Sequence, residues 1–347
     1  MLEADVEVDR REFTVRAAIV VAPGERLALF GPSGAGKTTM LEVIAGLVRP
    51  RRGLVTLQGR VLTSTESPAV AVPPWQRRVG LLRQDPGLFP HLSVRRNLGY
   101  APGADRAGGE LAHLAEALGI GELLDAMPAR LSGGQAHRVA LGRLLLAHCD
   151  ALLLDEPYSG LDSGLRRGLT ELVAELVAAR SVPTVLVAHE LAEAQAFADR
   201  LAVLDVGRLL QAGAPDEVVL QPATRRIAEL VGYLGFVPVR PGAGGEMVAG
   251  AGSGIVAGIH PERVIPGSQP GRGVVLAGTV AASRPAGAGW ETDLQVAGAV
   301  ATCRLPERPV PAGGRLVVTA LRPPCFGPDG AAVTGQAGSV GARQVRA

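Results

Sequence analysis

Residues Gly31 to Thr38 read GPSGAGKT, which places three glycines, a lysine and a threonine at the spacing G-x-x-x-x-G-K-[ST]. Those residue types at that spacing can cradle a phosphate chain. Gly31, Gly34 and Gly36 let the backbone turn tightly and aim its N–H groups inward, and Pro32, Ser33 and Ala35 complete the loop. Lys37 is then the cation for the β- and γ-phosphates, Thr38 a hydroxyl ligand for Mg²⁺, and Thr39 the next residue along the helix. The apolar run Arg26–Phe30 precedes the loop and Met40–Gly46 follows it. Strand, glycine turn and helix in that order put a positive helix dipole behind the loop.

A second group of residues completes the chemistry. Leu131-Ser132-Gly133-Gly134-Gln135 leads into a helical stretch, Ala136–Ala147, and by itself reads as an N-terminal cap. Directly afterwards comes Ala151-Leu152-Leu153-Leu154-Asp155-Glu156-Pro157, an apolar strand ending in two carboxylates. A buried strand of this kind ends at the ligand edge of its sheet, so Asp155 is placed for a Mg²⁺ shell. Glu156, one residue on, is placed as general base toward an attacking water.

The elements that must hold these groups alternate along the first two-thirds of the chain. Strands are expected at Arg26–Phe30, Val79–Gln84, Ala151–Leu154, Thr184–Ala188 and Leu201–Leu204. Between them, Leu111, Leu114, Ala115 and Leu118 share one helical face, as do Leu165, Leu169, Leu172, Val173, Leu176 and Val177. Buried strands alternating with helices predict a largely parallel sheet covered on both sides. After Arg226 the composition shifts. Gly273–Ala282, Trp290–Leu305 and Arg315–Leu321 read as strands between Pro/Gly turns, a small β domain or partial barrel with a loose tail from Gly327. The expected division is residues 1–228, 229–330 and a flexible 331–347.

Composition excludes other classes. A formal charge of +2 argues against nucleic-acid binding by bulk electrostatics. Cys149, Cys303 and Cys325 lack metal-ligand spacing and read as reduced thiols. The charged start, MLEADVEVDRREF, lacks the apolar core of a signal peptide, and no apolar run reaches the ~20 residues of a membrane span.

With these residues in view, the chain resembles the ATP-binding subunits of ABC transporters over residues 1 to about 225. LSGGQ matches that family's signature, Tyr158-Ser159-Gly160-Leu161-Asp162 its D-loop, Gln84 its Q-loop glutamine and His189 its switch histidine. The resemblance implies a P-loop NTPase domain with a helical subdomain, MgATP as ligand, and a hydrolytic site shared head to tail between two subunits, expected as a homodimer. One subunit would offer its phosphate loop with Lys37 and its Glu156, and its partner Ser132, Gly133 and Gly134, with Gln135 and Asp162 as further nucleotide-binding candidates. Gln84 would join Thr38 and Asp155 near the metal, and His189 would orient Glu156. Two letters depart from the pattern, His137 for a usual glutamine and Glu190 for a usual aspartate. Phe13 is the candidate for stacking on adenine, the sole aromatic of the first two strands.

The same resemblance implies partners. Leu88, Phe89 and His91, between Gln84 and Tyr100, fall where the family receives a helix of the membrane permease. Arg77, Arg78, Arg95 and Arg96 read as a solvated basic face. QRRVG, LFPH, VRRNLGY and LGIGELLD look most similar to the ATPases of molybdate importers; sulfate, iron(III) or polyamine cargo is the alternative, and a soluble ABC ATPase a third reading. GIHPERV and VVLAGTV resemble the accessory OB/TOBE-type β domain of such importers. The expected setting is the cytoplasmic face of the membrane, with an extracytoplasmic solute-binding protein acting through the permease.

Overall fold

Two units make up the chain in the computed structural model, Met1–Asp216 and Glu217–Ala347. Residues 1–11, 13–100, 108–158, 163–241, 247–250, 252–269, 271–306 and 310–333 are described.

In the first unit, β1 (Leu2–Asp9) and β2 (Thr14–Val21) pair antiparallel, and their alternate residues are buried. That period of two is what a sheet with one covered face requires. β3 (Arg26–Phe30) leads through the glycine loop into α1 (Lys37–Ala45), and β4 (Arg52–Leu57), β5 (Arg60–Ser64) and β6 (Val70–Ala71) extend the antiparallel edge. β7 (Val79–Leu82), α2 (Val94–Leu98), α3 (Gly108–Ala117), α4 (Gly133–Leu146), β8 (Ala151–Asp155), α5 (Ser163–Arg180), β9 (Thr184–Ala188), α6 (Leu191–Phe197), β10 (Arg200–Asp205) and β11 (Arg208–Gly213) follow.

The strands form one 11-stranded sheet in the order β6-β5-β4-β1-β2-β11-β10-β3-β9-β8-β7. The run β10-β3-β9-β8-β7 is parallel, and so is the short pairing of β11 with β2. The expectation of a largely parallel sheet is therefore corrected, because β1, β2, β4, β5 and β6 are half-covered and pair antiparallel. β8 and β9 are buried at every residue, as strands covered on both faces must be. The parallel run ends where β3 meets the glycine loop and β8 meets Glu156, so both candidate groups share one sheet edge. β7 ends at Leu82, which leaves Gln84 in the loop beyond it rather than on the strand. α2 and α3 pack on α4, the helix that the serine-glycine segment begins.

Arg77 corrects the reading of a solvated basic face. It is 4% exposed. Its Nη1 donates to the carbonyls of Val43 (3.1 Å) and Ile44 (2.9 Å), its Nε to Val72 (2.7 Å) and its Nη2 to Thr63 Oγ1 (2.8 Å). The guanidinium thus caps the last turn of α1, where carbonyls lack helical partners. Burial pushes its pKa down, the direction expected for a cation without a carboxylate beside it. Arg78 and Arg95 do face solvent, in pairs with Asp150 and Asp125.

The second unit contains α8 (Arg225–Leu230), β12 (Phe236–Pro241), β13 (Met247–Ala249), β14 (Ile255–Gly258), β15 (Val264–Pro266), β16 (Gly273–Ala286), β17 (Gly289–Val296), β18 (Ala299–Leu305), β19 (Arg315–Leu321) and β20 (Cys325–Phe326), and α7 (Pro215–Leu220) crosses the division. A four-stranded sheet, β13-β12-β14-β20, and a five-stranded one, β15-β19-β16-β17-β18, enclose Val237, Leu276, Leu294, Ala301 and Val318. Trp290–Leu305 is two strands, not one, because Ala297 and Gly298 both take positive φ and turn the chain into a hairpin. The division falls before residue 228 because the segment carrying α7 and α8 is tied to this unit. Tyr233 Oη donates to Val219 O (2.9 Å), and Arg225 N donates to Gly330 O (2.8 Å). Gly327–Val333 is likewise folded, through bridges from Ala331 to Thr224 and from Ala332 to Phe326. The remainder of the expected tail, 334–347, lies outside the described residues.

Replacing Arg77 with Met should lower stability by about 2–4 kcal/mol, because the Ile44 and Val72 carbonyls and Thr63 Oγ1 lose a buried donor. Urea unfolding of the full chain measures it; a loss below ~0.5 kcal/mol would contradict the buried cap.

Candidate phosphate-binding and hydrolytic site

The glycine loop is shaped by what surrounds it. Gly31 (φ 150°), Gly34 (φ 80°) and Gly36 (φ 101°) all lie at positive φ. A Cβ on Gly31 would stand 2.0 Å from the Leu204 carbonyl oxygen of β10, and one on Gly36 would stand 2.7 Å from Val15 Cγ2. Glycine is required there by space as well as by backbone angle. The loop is pinned by Ala35 N to Pro32 O (3.2 Å) and Gly207 N to Ala35 O (3.0 Å).

α1 begins at Lys37 with Gly36 as its N-cap, no side chain capping it and no acidic residue in its first turn. Its leading N–H groups therefore stay available to an anion. Lys37 is 5% exposed, and its Nζ donates to the loop carbonyls of Gly31 (2.7 Å) and Pro32 (2.9 Å). Burial pushes its pKa down, opposed by the charges of Glu156 and Asp155.

Across the sheet edge, Asp155 is 3% exposed and accepts a hydrogen bond from Thr38 Oγ1 (3.2 Å). Burial pushes its carboxyl up, with the Thr38 hydroxyl pulling the other way. A buried carboxylate paired only with a hydroxyl is a hard-oxygen donor set short of a cation. Among the described residues no cluster of three His, Cys, Asp or Glu side chains could hold a metal alone. As two hard oxygen donors, Thr38 and Asp155 would fit Mg²⁺.

Glu156 takes φ 54°, a left-handed conformation that costs of order 1–3 kcal/mol in a residue other than glycine. Its amide donates to Val187 O (3.2 Å), and its carboxylate pairs with His189 Nε2. Arg10, Phe13, Ser33, Gly34, Gly36, Lys37, Thr38, Thr39, Gln84, Glu156 and His189 together line one open cleft of about 360 Å³. Most of the residues expected from the sequence thus meet in a single place. Phe13 belongs to it from the β1–β2 connection rather than from a strand.

Other expected residues stand apart. Ser132 and Gly133 are exposed, and Ser132 caps α4: Gln135 N donates to Ser132 Oγ (3.2 Å) and Ser132 N donates to Gln135 Oε1 (2.8 Å). Neither these residues nor Gly134 lines the cleft. Asp162 lies outside the described residues. Leu88 and Phe89 are half-buried, and His91 is exposed. Phe89 packs on Tyr100 (centroids 4.3 Å) and beneath Arg143 (5.2 Å).

From the sequence alone, Asn97, Arg143 and Glu193 have no assigned structural role, and His137 stands out only as a departure from a usual glutamine. Asn97, fully buried, donates from Nδ2 to the carbonyls of Phe89 (3.1 Å), Leu92 (2.9 Å) and Ser93 (3.2 Å) and accepts from Phe89 N (2.8 Å). Arg143 donates to Gly87 O (3.1 Å) and Pro86 O (3.2 Å). Burial pushes the pKa of His137, 6% exposed, down. Glu193, in the first turn of α6, is pushed up to about 7 by burial, against the Arg166 charge. No local pattern marks any of these; a charged residue in a short turn, Arg10, was the one signal available.

A family model described as ABC transporter matches residues 16–159. An iron(III) import ATP-binding protein, FbpC, of Mesorhizobium japonicum is 42% identical over 221 residues, covering 63% of this chain and 61% of that protein. A molybdenum import ATP-binding protein, ModC, of Mycobacterium tuberculosis is 44% identical over 239 residues, covering 65% and 63%. The chain thus matches about six-tenths of the length of these curated relatives. A solved ATP-binding subunit of an ABC transporter aligns with TM-score 0.56 at 28% identity over 67% of this chain and 95% of that one. A post-hydrolysis dimer of an ATP-binding cassette with ADP and Pi, 24% identical over 62% of this chain and 99% of that one, shares the fold with TM-score 0.53.

Two outcomes follow for the charges. Asp155→Asn removes a buried carboxylate, so it should raise Tm by a few degrees; a lower Tm would contradict the cost assigned to this charge. Glu193 has a raised pKa, so its contribution is full below the unfolded value and lost as pH rises through about 7. The Tm advantage of Glu193→Gln over the parent should therefore grow between pH 5 and 8 in thermal scans. A constant difference would contradict it.

Proposed function

We infer the function from one premise: this chain belongs to the ABC transporter family, as an ATP-binding part of it. On that premise the protein hydrolyses ATP to ADP and phosphate and drives solute import through a membrane permease. The observation that carries the reading is the shared cleft of Lys37, Thr38, Gln84, Glu156 and His189 at one sheet edge.

The loop amides and Lys37 bind the phosphate chain, with Lys37 exchanging its Gly31 and Pro32 carbonyls for phosphate oxygens. Thr38 and Asp155, with Gln84 beside them, would hold Mg²⁺, which when bound would neutralise charge on the phosphates. Glu156 accepts the proton of the attacking water, and His189 fixes the direction of its carboxylate. Ser132, Gly133 and Gly134 begin a helix at the surface, away from this cleft. In this reading they and Asp162 complete the cleft of a second copy, so that ATP joins two subunits and hydrolysis releases them. Phe13 stacks on the adenine ring.

The permease helix docks near Leu88, Phe89 and His91, on a loop that Asn97 and Arg143 hold rigid. Among the described residues no helix is long and apolar enough to cross a membrane, which fits peripheral attachment at the cytoplasmic face. The cargo is molybdate, delivered to the permease by an extracytoplasmic binding protein, and the second unit is an OB/TOBE-type accessory domain. Iron(III) is the second reading, favoured by relatives of equal similarity.

Glu156→Gln should retain ATP binding, lose turnover by at least about 100-fold and accumulate an ATP-bound dimer. Lys37→Ala should abolish nucleotide binding. Size-exclusion chromatography and a phosphate-release assay check both; parental turnover in Glu156→Gln would remove the base assignment.

A further inference from the structure

The cleft contains a cation beside Lys37 that the reading above leaves without a role. Arg10 follows β1 directly, and its backbone N–H donates to Phe13 O (2.9 Å) across the short β1–β2 connection. Its side chain reaches the first turn of α1, where Nε donates to Thr39 Oγ1 (2.9 Å) and Nη2 to Glu42 Oε2 (3.2 Å). The guanidinium is 35% exposed and lines the same cleft as the glycine loop.

Charge decides what it is for. Glu42 receives two guanidinium groups, Arg10 at 3.2 Å and Arg83 at 3.7 Å. Glu42, shared between them, does not neutralise both, and of the groups lining the cleft Arg10 and Lys37 are cations against the one carboxylate of Glu156, next to an uncapped helix start. A guanidinium carries five N–H donors in a rigid fork, so the contacts with Thr39 and Glu42 orient it without exhausting it. Its position along the phosphate chain follows from the loop. Lys37 serves the β- and γ-phosphates and Thr38 the metal between them, on the side of Glu156 and His189. Arg10 is bonded instead to Thr39, with Phe13 beside it, toward the nucleoside end.

We propose that Arg10 is a nucleotide-binding residue, whose guanidinium, aimed by Thr39 and Glu42, bonds the nucleoside-proximal phosphate of a nucleoside di- or triphosphate. This rests on the nucleotide reading of the cleft. Glu42 then acts as a positioning residue that holds the fork in register before ligand arrives.

Equilibrium binding of fluorescent ATP and ADP analogues to the full chain tests this without requiring turnover. Arg10→Gln should raise Kd about tenfold for ATP and ADP alike, the worth of one charge-assisted contact. The gap from the parent should narrow as salt rises, because the lost term is electrostatic. Glu42→Gln, which loosens the aim of Arg10, should raise Kd by less than Arg10→Gln and add nothing in the Arg10→Gln background, whereas a carboxylate needed only for folding would raise Kd in both backgrounds. A Kd within twofold of the parent in Arg10→Gln, or a rise that salt does not reduce, overturns the proposal, provided Lys37→Ala has lost affinity in the same assay. Retained affinity in Lys37→Ala would instead remove the nucleotide reading itself, and this inference with it.

Discussion

The N terminus of α1 is left without a cap, and the rest of the first unit is arranged around that omission. A helix start with free N–H groups in a fold is tolerated only if water or a ligand can reach it. Here β3, β8 and β9 end at the same edge, and the loop between β3 and α1 is bent by three left-handed glycines. The close approach of the Leu204 carbonyl and of Val15 leaves no room for a side chain at Gly31 or Gly36. Lys37, whose charge is costly at that depth, closes on carbonyls of its own loop. The far end of the helix is treated in the opposite way, with Arg77 saturating its carbonyls. One end is sealed and the other is kept open.

The acidic half of the cleft is held at a similar cost. Asp155 is buried with a hydroxyl as its partner, and Glu156 sits in a left-handed backbone conformation beside it. Neither arrangement favours folding. Both make sense if a cation and a phosphate chain enter between them and the glycine loop. The serine-glycine segment has the opposite character. Its capping box is complete and its surface is exposed, so it is stable in one chain without contributing to that chain's own cleft.

Much of this was legible in the sequence, where chemistry and local structure coincide. The glycine loop, Asp155, Glu156 and the strands at Arg26–Phe30 and Thr184–Ala188 sit at motif positions or in apolar runs, and each stands where its pattern put it. Features set by tertiary contact were not. Arg77 and Arg78 are adjacent, yet one is sealed inside and the other faces solvent, because only Arg77 meets the end of α1. Phe236–Pro241 is a strand despite two prolines, since its pairing with β13 and β14 outweighs their missing donors. Arg10 and Glu193 gained significance only from what the fold brought beside them.

A nucleotide in this cleft should draw its affinity from its phosphates, because the lining offers loop amides, Lys37 and Arg10 and a single phenyl ring, Phe13. Competition of ATP, ADP, AMP and adenosine against a fluorescent ADP analogue measures this directly on the full chain. ATP and ADP should compete at similar concentrations, with AMP and adenosine weaker by at least about 100-fold. Adenosine competing within tenfold of ADP would contradict the account.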